Sequence, residues 1–352
     1  MGWFISVVRA ESSKLSKVDW ENLQFGRVFT DHMFIADFYD GAWRDARIIP
    51  FGDLCLSPAF SAIHYGQSIF EGMKAQRGKD GDVLLFRPNL NAQRFNISAK
   101  RMALPTIPEE DFISSIKALV DIERNWIPNR ENHSLYIRPF LFGNDSFIGV
   151  KPPENARFVI FCCPVGPYYS TPLKVMISEK YVRAVPGGAG FAKAAGNYGA
   201  TLMPVKEIKE QGYDQYLWTD AFEHRYIQEV GTMNVFFVIN DVIITPELDG
   251  TLLDGTTRDT LLHLFREQGT KVDERKVTVD EIYKAYNDGT LTECFGSGTA
   301  AVVSPINLLT SSHGDIILKS DREDSVSRHI KKKLTEYKLG IRQDHHNWLV
   351  RF

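Results

Sequence analysis

The sequence predicts an α/β (α+β) chain of two domains. With 352 residues, 43% of them hydrophobic and 12% aromatic, it is long and apolar enough for two cores of ordinary size. Runs that alternate apolar and polar residues, as half-buried strands do, are interleaved with runs whose apolar residues recur every three or four positions, as in helices buried on one face. Between two such series, Val165-Gly-Pro-Tyr-Tyr-Ser-Thr-Pro172 gathers turn formers. The expected domains are therefore 1–170 and 171–352.

Several function classes are disfavoured at once. A net charge of -3 gives no basic footprint for nucleic acid, and no run of like charge is long enough to act as a tail. No stretch approaches the roughly 18 uninterrupted apolar residues of a spanning helix, and the opening Met1 to Arg9 is too short for the apolar core of a signal peptide. The expectation is a cytoplasmic protein with neither membrane nor nucleic-acid partners. Cys55, Cys162, Cys163 and Cys294 have no C-x-x-C spacing and no neighbouring histidines, so neither disulfides nor zinc are expected. His345-His346 lacks acidic companions, and no metal is assigned to it.

Taken in order, the chain first alternates around Asp40-Gly41, a hairpin with a two-residue turn. Ser57-Pro58 then reads as a helix start, and apolar residues at 59, 60, 63, 69, 70 and 73 extend that helix to about Ala75, with Tyr65 and Phe70 as core aromatics. Asp82–Phe86 is a short strand, followed by a helix bearing Arg94. A helix over Pro108–Trp126 is assigned to packing, and Ser134–Gly143 and Arg157–Pro164 are strands. Tyr136 and Arg138, two apart, face the same side. In the second half, residues 200–210 form a helix and Gln215–Trp218 a strand. Glu229 lies just before a strongly apolar strand, where composition alone favours an exposed strand-end acid. Gly255-Thr256-Thr257 opens a helix that either offers free N–H groups to an anion or caps itself through Thr256 and Asp259; the residues alone favour the cap. Glu293–Ala300 is a glycine-rich strand-to-loop junction, and residues 322–339 form a terminal helix packed on the second domain.

Lys193 is the residue on which a chemical reading turns. It lies among glycines at 187, 188, 190, 196 and 199, a loop able to admit a bulky ligand. A lysine in such a setting, partly desolvated, can present a neutral amine to a carbonyl.

The order Lys-x-x-Gly-Asn-Tyr at 193–198 resembles the cofactor-lysine motif of fold-type IV pyridoxal-phosphate enzymes, and specifically that of the branched-chain amino acid aminotransferases. Four further segments resemble that family in the same order: Leu85-Phe-Arg-Pro88 with Asn91-Ala-Gln-Arg94, Glu229-Val-Gly-Thr-Met-Asn234, the helix start at Gly255, and Gly296-Ser-Gly-Thr-Ala300. The likeness runs from Phe25 to Arg342. Where the vertebrate mitochondrial members carry a C-x-x-C pair, this chain has Ala301 and Ser304, which argues against a thiol switch.

The resemblance implies two α/β domains with the site at their interface, a homodimer whose partners complete each other's pockets, and pyridoxal 5'-phosphate as cofactor. It implies transfer of the amino group of leucine, isoleucine or valine to 2-oxoglutarate, giving glutamate. Lys193 is then the catalytic residue. Arg94, Lys193, Tyr198, Glu229, Thr232, Gly255, Thr256, Thr257 and Thr299 hold the cofactor, with Glu229 at the pyridine nitrogen and Tyr198 at the ring oxygen. Phe25, Tyr65, Phe70, Tyr136, Arg138, Val150, Tyr168, Thr232, Thr299 and Ala300 meet the substrate. The alternatives are a D-amino acid aminotransferase or aminodeoxychorismate lyase on the same fold, and a relative of that fold without catalysis.

Overall fold

The computed structural model describes residues 2–352. Its contacts divide the chain into two compact units: Met1–Tyr168 with Ala192–Gly196 and Glu336–Phe352, and Tyr169–Phe191 with Asn197–Thr335. The second unit thus does not run unbroken from 171 to the C-terminus. Strand pairing gives the reason: the tail adds a strand to the first sheet, and the backbone around Lys193 hydrogen-bonds to the same unit.

In the first unit the strands are β1 (Ser6–Val7), β2 (His32–Tyr39), β3 (Ala42–Pro50), β4 (Ser68–Phe70), β5 (Met73–Arg77), β6 (Val83–Phe86), β7 (Ser134–Gly143) and β8 (Ala156–Val165). Helices α1 (Ser61–Tyr65), α2 (Pro88–Arg101) and α3 (Glu109–Ile122) lie between them. Asp40 and Gly41 both adopt positive φ, the geometry a two-residue hairpin turn needs, so β2 and β3 pair as the Asp-Gly signal predicts. Proline opens α2 and three acids occupy the first turn of α3, favourable placements for free N–H groups and the positive helix end. Phe34, Phe95, Phe112 and Phe158, all buried, pack ring against ring where α2 and α3 cover the sheet.

The helix expected to continue to Ala75 is corrected. It stops at Tyr65, because Gly66 takes a left-handed conformation, and the chain then forms β4 and β5 against β7. Ile69, Met73 and Ala75 are buried with the even spacing of a strand, which the helical count of apolar residues had obscured. Gly72 is required here, since a Cβ would lie 2.2 Å from the Tyr136 hydroxyl oxygen.

The second unit contains β9 (Leu173–Ile177), then, after the short α4 (Ala195–Gly199) that straddles the division, α5 (Leu202–Glu210), β10 (Gln215–Thr219), β11 (Ile227–Val230), β12 (Met233–Ile239), β13 (Val242–Thr245), α6 (Thr256–Glu267), β14 (Val272–Glu274), α7 (Val279–Asn287), β15 (Leu291–Gly298), β16 (Val302–Ser311) and β17 (Gly314–Ile317). Its sheet runs β11-β10-β9-β16-β15-β12, and the β11–β12 pairing closes those six strands into a ring. Helix α8 (Val326–Lys338) crosses into the tail, where β18 (Leu349–Arg351) pairs with β6 of the first unit. No helix among the described residues is long and apolar enough to cross a membrane.

Lys338, near the Phe86 ring, gives the first unit a measurable pH dependence. Burial, with a smaller push from the Lys74 ammonium, lowers its pKa to about 7. The folded chain therefore releases a proton that the unfolded chain keeps up to about 10.4, so this group's penalty on folding is relieved as pH rises through that window. Urea midpoints measured at about pH 6 and about pH 9.5 should show this gain in the native chain and lose most of it in Lys338→Met.

Candidate active site

In the first unit the backbone of Lys193 is pinned on both sides. Its N–H donates to Ser98 Oγ on α2 (2.9 Å) and its carbonyl accepts from Phe70 N (3.1 Å), beside a bridge from Ile69 to Ala194. The half-buried side chain carries Nζ 4.8 Å from the centre of the Phe70 ring. Arg138 lies over the same ring at 4.7 Å and donates from Nη2 to Tyr136 Oη at 3.0 Å, as two residues on one strand face can. Its buried Nε has no hydrogen-bond partner among the described residues. Phe25 completes the aromatic group, edge-on to both Tyr136 (5.0 Å) and Tyr168 (5.2 Å). Phe25, Phe70, Tyr136, Arg138 and Tyr168 are thus gathered around one corner. Tyr65 and Val150 stand apart from it, with Val150 88% exposed.

Arg94 is buried, and its fork is bidentate on Glu71, with Nε to Oε1 at 2.7 Å and Nη2 to Oε2 at 2.9 Å. Glu71, at 0% exposure, also accepts from Asn91 Nδ2 at 2.8 Å. Burial works to raise its pKa, but the charge and hydrogen bonds of Arg94, then the charge of Lys193, outweigh it and hold the carboxyl below its usual range.

In the second unit Glu229 is a buried residue of β11, not an exposed strand end. Leu253 N donates to its Oε1 at 2.7 Å, Asn234 Nδ2 lies 3.3 Å from the same oxygen, and Arg183 Nε stands 3.2 Å from Oε2. Arg183 is held in turn by the carbonyls of Gly190 and Thr251. Asn234 also donates to the Leu253 carbonyl, and its Oδ1 would be 2.1 Å from a Cβ on Gly255. That close approach to Asn234 is what requires glycine at 255. Likewise Gly190 is glycine because a Cβ would meet the Thr251 carbonyl at 2.4 Å; packing, and not room for a ligand, explains this member of the loop.

Gly255 is the N-cap of α6 and has no side chain to cap it, so Thr256 is the first helical residue and not the cap of a Thr256–Asp259 box. The register sets Glu229 opposite Asn234, and Asn234 opposite Ser297. Beyond Ser297, whose buried Oγ has no partner among the described residues, lie Gly298, Thr299 and Ala300; Thr232, in the β11–β12 turn, has its carbonyl 3.9 Å from where a Gly298 Cβ would be. Tyr198 is half-buried on α4. The second unit by itself therefore joins a buried carboxylate, an uncapped helix start and a hydroxyl-bearing turn, a donor set that fits a phosphate and a ring nitrogen.

The amino-transferase class IV model matches residues 68–309. The chain belongs to that family. This class IV aminotransferase is 42% identical over 355 residues to a probable branched-chain-amino-acid aminotransferase of Staphylococcus aureus, covering 99% of both chains. It is 44% identical over 340 residues to the branched-chain-amino-acid transaminase 1 of Bacillus subtilis, covering 95% of both. Among solved structures it resembles the Escherichia coli branched-chain amino acid aminotransferase, with TM-score 0.76, 26% identity, and 91% of this chain and 98% of that one covered.

Three residues of this class IV aminotransferase escaped the sequence reading: Glu71, Asn234 and Arg183. Glu71 and Asn234 each left a faint trace. Glu71 is an acid inside the apolar run Ile69–Met73, and Asn234 a polar residue opening an otherwise apolar strand; both are burial without an evident partner. Arg183 had no local signal, because its partner Glu229 is far along the chain.

Removing Arg183 should expose how far Glu229 depends on it. Arg183→Leu is expected to cost about 3 kcal/mol by leaving a buried carboxylate without its cation, and Arg183→Leu/Glu229→Gln to recover part of that loss. Urea unfolding of the two variants beside the native chain measures both.

Proposed function

We propose that this aminotransferase moves the amino group of L-leucine, L-isoleucine or L-valine to 2-oxoglutarate, reversibly, with pyridoxal 5'-phosphate carried on Lys193. The observation that carries the reading is the corner of the first unit where an uncharged aromatic wall of Phe25, Phe70, Tyr136 and Tyr168 contains one guanidinium, Arg138, with a buried N–H still to be satisfied. An apolar wall suits a branched aliphatic side chain. The cation gives the same pocket a partner for the distal carboxylate of glutamate. The names carried by the relatives described above point the same way.

When bound, pyridoxal phosphate supplies an aldehyde that captures amines and a ring that draws electrons from the substrate's α-carbon. Lys193 Nζ would anchor the cofactor and, once displaced, would carry a proton to and from the substrate's α-carbon. Glu229, bonded by Arg183 and two N–H donors, would hold the proton on the ring nitrogen. Tyr198 donates to the ring oxygen. Arg94, Thr257 and Thr299, with the first-turn amides after Gly255, bind the phosphate. Thr232 and Ala300 meet the substrate beside Thr299.

A homodimer belongs to this reading. Ile63, Ile148 and Val150 are 70%, 64% and 88% exposed, and the segments bearing them are joined by the Ser61 N–H to Asp145 carbonyl bond and the Phe60–Ser146 bridge. Such an apolar face on the first unit suits a second copy. It would carry Tyr65 and Val150, which stand apart in their own chain, to the other copy's pocket. A cytoplasmic setting accords with the four cysteines, all of them free thiols.

Borohydride reduction of the resting enzyme followed by peptide mapping should place the pyridoxyl label on Lys193, and Lys193→Ala should lose both label and turnover; label on another residue sinks the assignment. L-leucine, and not D-alanine, should change the cofactor's absorbance. Arg138→Met should raise the KM for glutamate at least about tenfold while changing that for leucine far less, since only the former loses a charged partner. Sedimentation of Val150→Glu should show monomer where the native chain is a dimer.

A further inference from the structure

Glu71 is an ionised group at the first-unit corner to which no step above gives a task. It is paired with one residue that such steps need and next in sequence to the residue that holds another. Its carboxylate takes both prongs of Arg94 and a hydrogen bond from Asn91, while its own N–H is tied to the Pro139 carbonyl on β7 at 2.8 Å. The preceding residue, Phe70, bonds the Lys193 backbone and lies under its Nζ. Glu71 and Arg94 thus form a buried ion pair one residue along the chain from the Phe70 that holds Lys193.

We propose that Glu71 is a positioning residue of the amino-transfer centre, fixing the Arg94 guanidinium for the cofactor's phosphate. The proposal rests on the assignments of Arg94 and Lys193 made above. A guanidinium is a planar fork, and binding one anion through Nε and Nη2 fixes the plane in which its remaining N–H groups point. An ion pair serving only to hold the fold would affect pyridoxal phosphate and pyridoxal alike, whereas one that aims the guanidinium affects the phosphate-bearing ligand alone.

Removing the charge should therefore separate binding of the phosphate from binding of the ring. The full-length chain, stripped of cofactor, is titrated with pyridoxal phosphate and with pyridoxal, which lacks the phosphate, for the native protein, Glu71→Gln, Glu71→Asp, Arg94→Ala and Glu71→Gln/Arg94→Ala. Glu71→Gln should weaken pyridoxal phosphate about tenfold or more and leave pyridoxal affinity within about threefold, and its loss should not add to that of Arg94→Ala. Glu71→Asp, which keeps the charge at shorter reach, should weaken pyridoxal phosphate less than Glu71→Gln does. Equal losses for the two ligands, or additive losses with Arg94→Ala, in a chain with native circular dichroism would overturn the proposal. Should Glu71→Gln fail to fold, Glu71→Asp decides: its shorter side chain should weaken pyridoxal phosphate selectively, and no selective change refutes the role. Reduction and mapping of the native enzyme separates this from the underlying assignment, because label away from Lys193 ends that assignment whatever Glu71 does.

Discussion

The tie between the Lys193 backbone and the first unit is the constraint on which the site depends. A lysine side chain is long and loses much rotamer freedom when it is fixed. Here the cost is limited by holding the main chain from both directions, through Ser98 on α2 and Phe70 on β4, and by laying the side chain along an aromatic face. The two anchors are themselves set by the core. Ser98 is buried on the helix whose Phe95 packs on Phe112 and Phe158, and β4 is paired to β7. Displacement of the sheet or of α2 would therefore move the amine.

The second unit solves a different problem, that of burying a carboxyl group with all its partners supplied. Glu229 is buried in a strand and survives there because Leu253 N, Asn234 and Arg183 surround it with donors and charge. Asn234 does most of the connecting. It sits opposite Glu229 on one side and Ser297 on the other, and its approach to Gly255 fixes where α6 begins. One side chain thus relates the acid, the helix start and the glycine-rich turn.

Much of this was legible in the sequence, and the misses have identifiable causes. The Asp40-Gly41 hairpin, α2, α3 and α6 follow from turn chemistry and helical spacing, which are local. The segment after Gly66 was misread because Ile69, Phe70 and Met73 satisfy a helical count while the backbone alternates as a strand against β7; tertiary pairing overrode a weak local pattern. Lys193, Glu229 and Arg94 stood out through chemistry and through a family resemblance. Glu71 and Arg183 did not, since their meaning lies in partners 23 and 46 residues away in the chain. The glycines near Lys193 were read as making space, whereas Gly190 exists to let two backbones meet.

The pairing of β18 with β6 has a temporal corollary. The first unit takes most of its strands from residues before 169, but its outer strand is Leu349–Arg351, and its lysine-bearing loop comes from 192–196. During synthesis this sheet is unfinished until Arg351 has been added, whereas every strand of the ring in the second unit has left the ribosome's decoding centre by residue 311. Of the two sheets, the one whose first strand is made earlier is the one completed later.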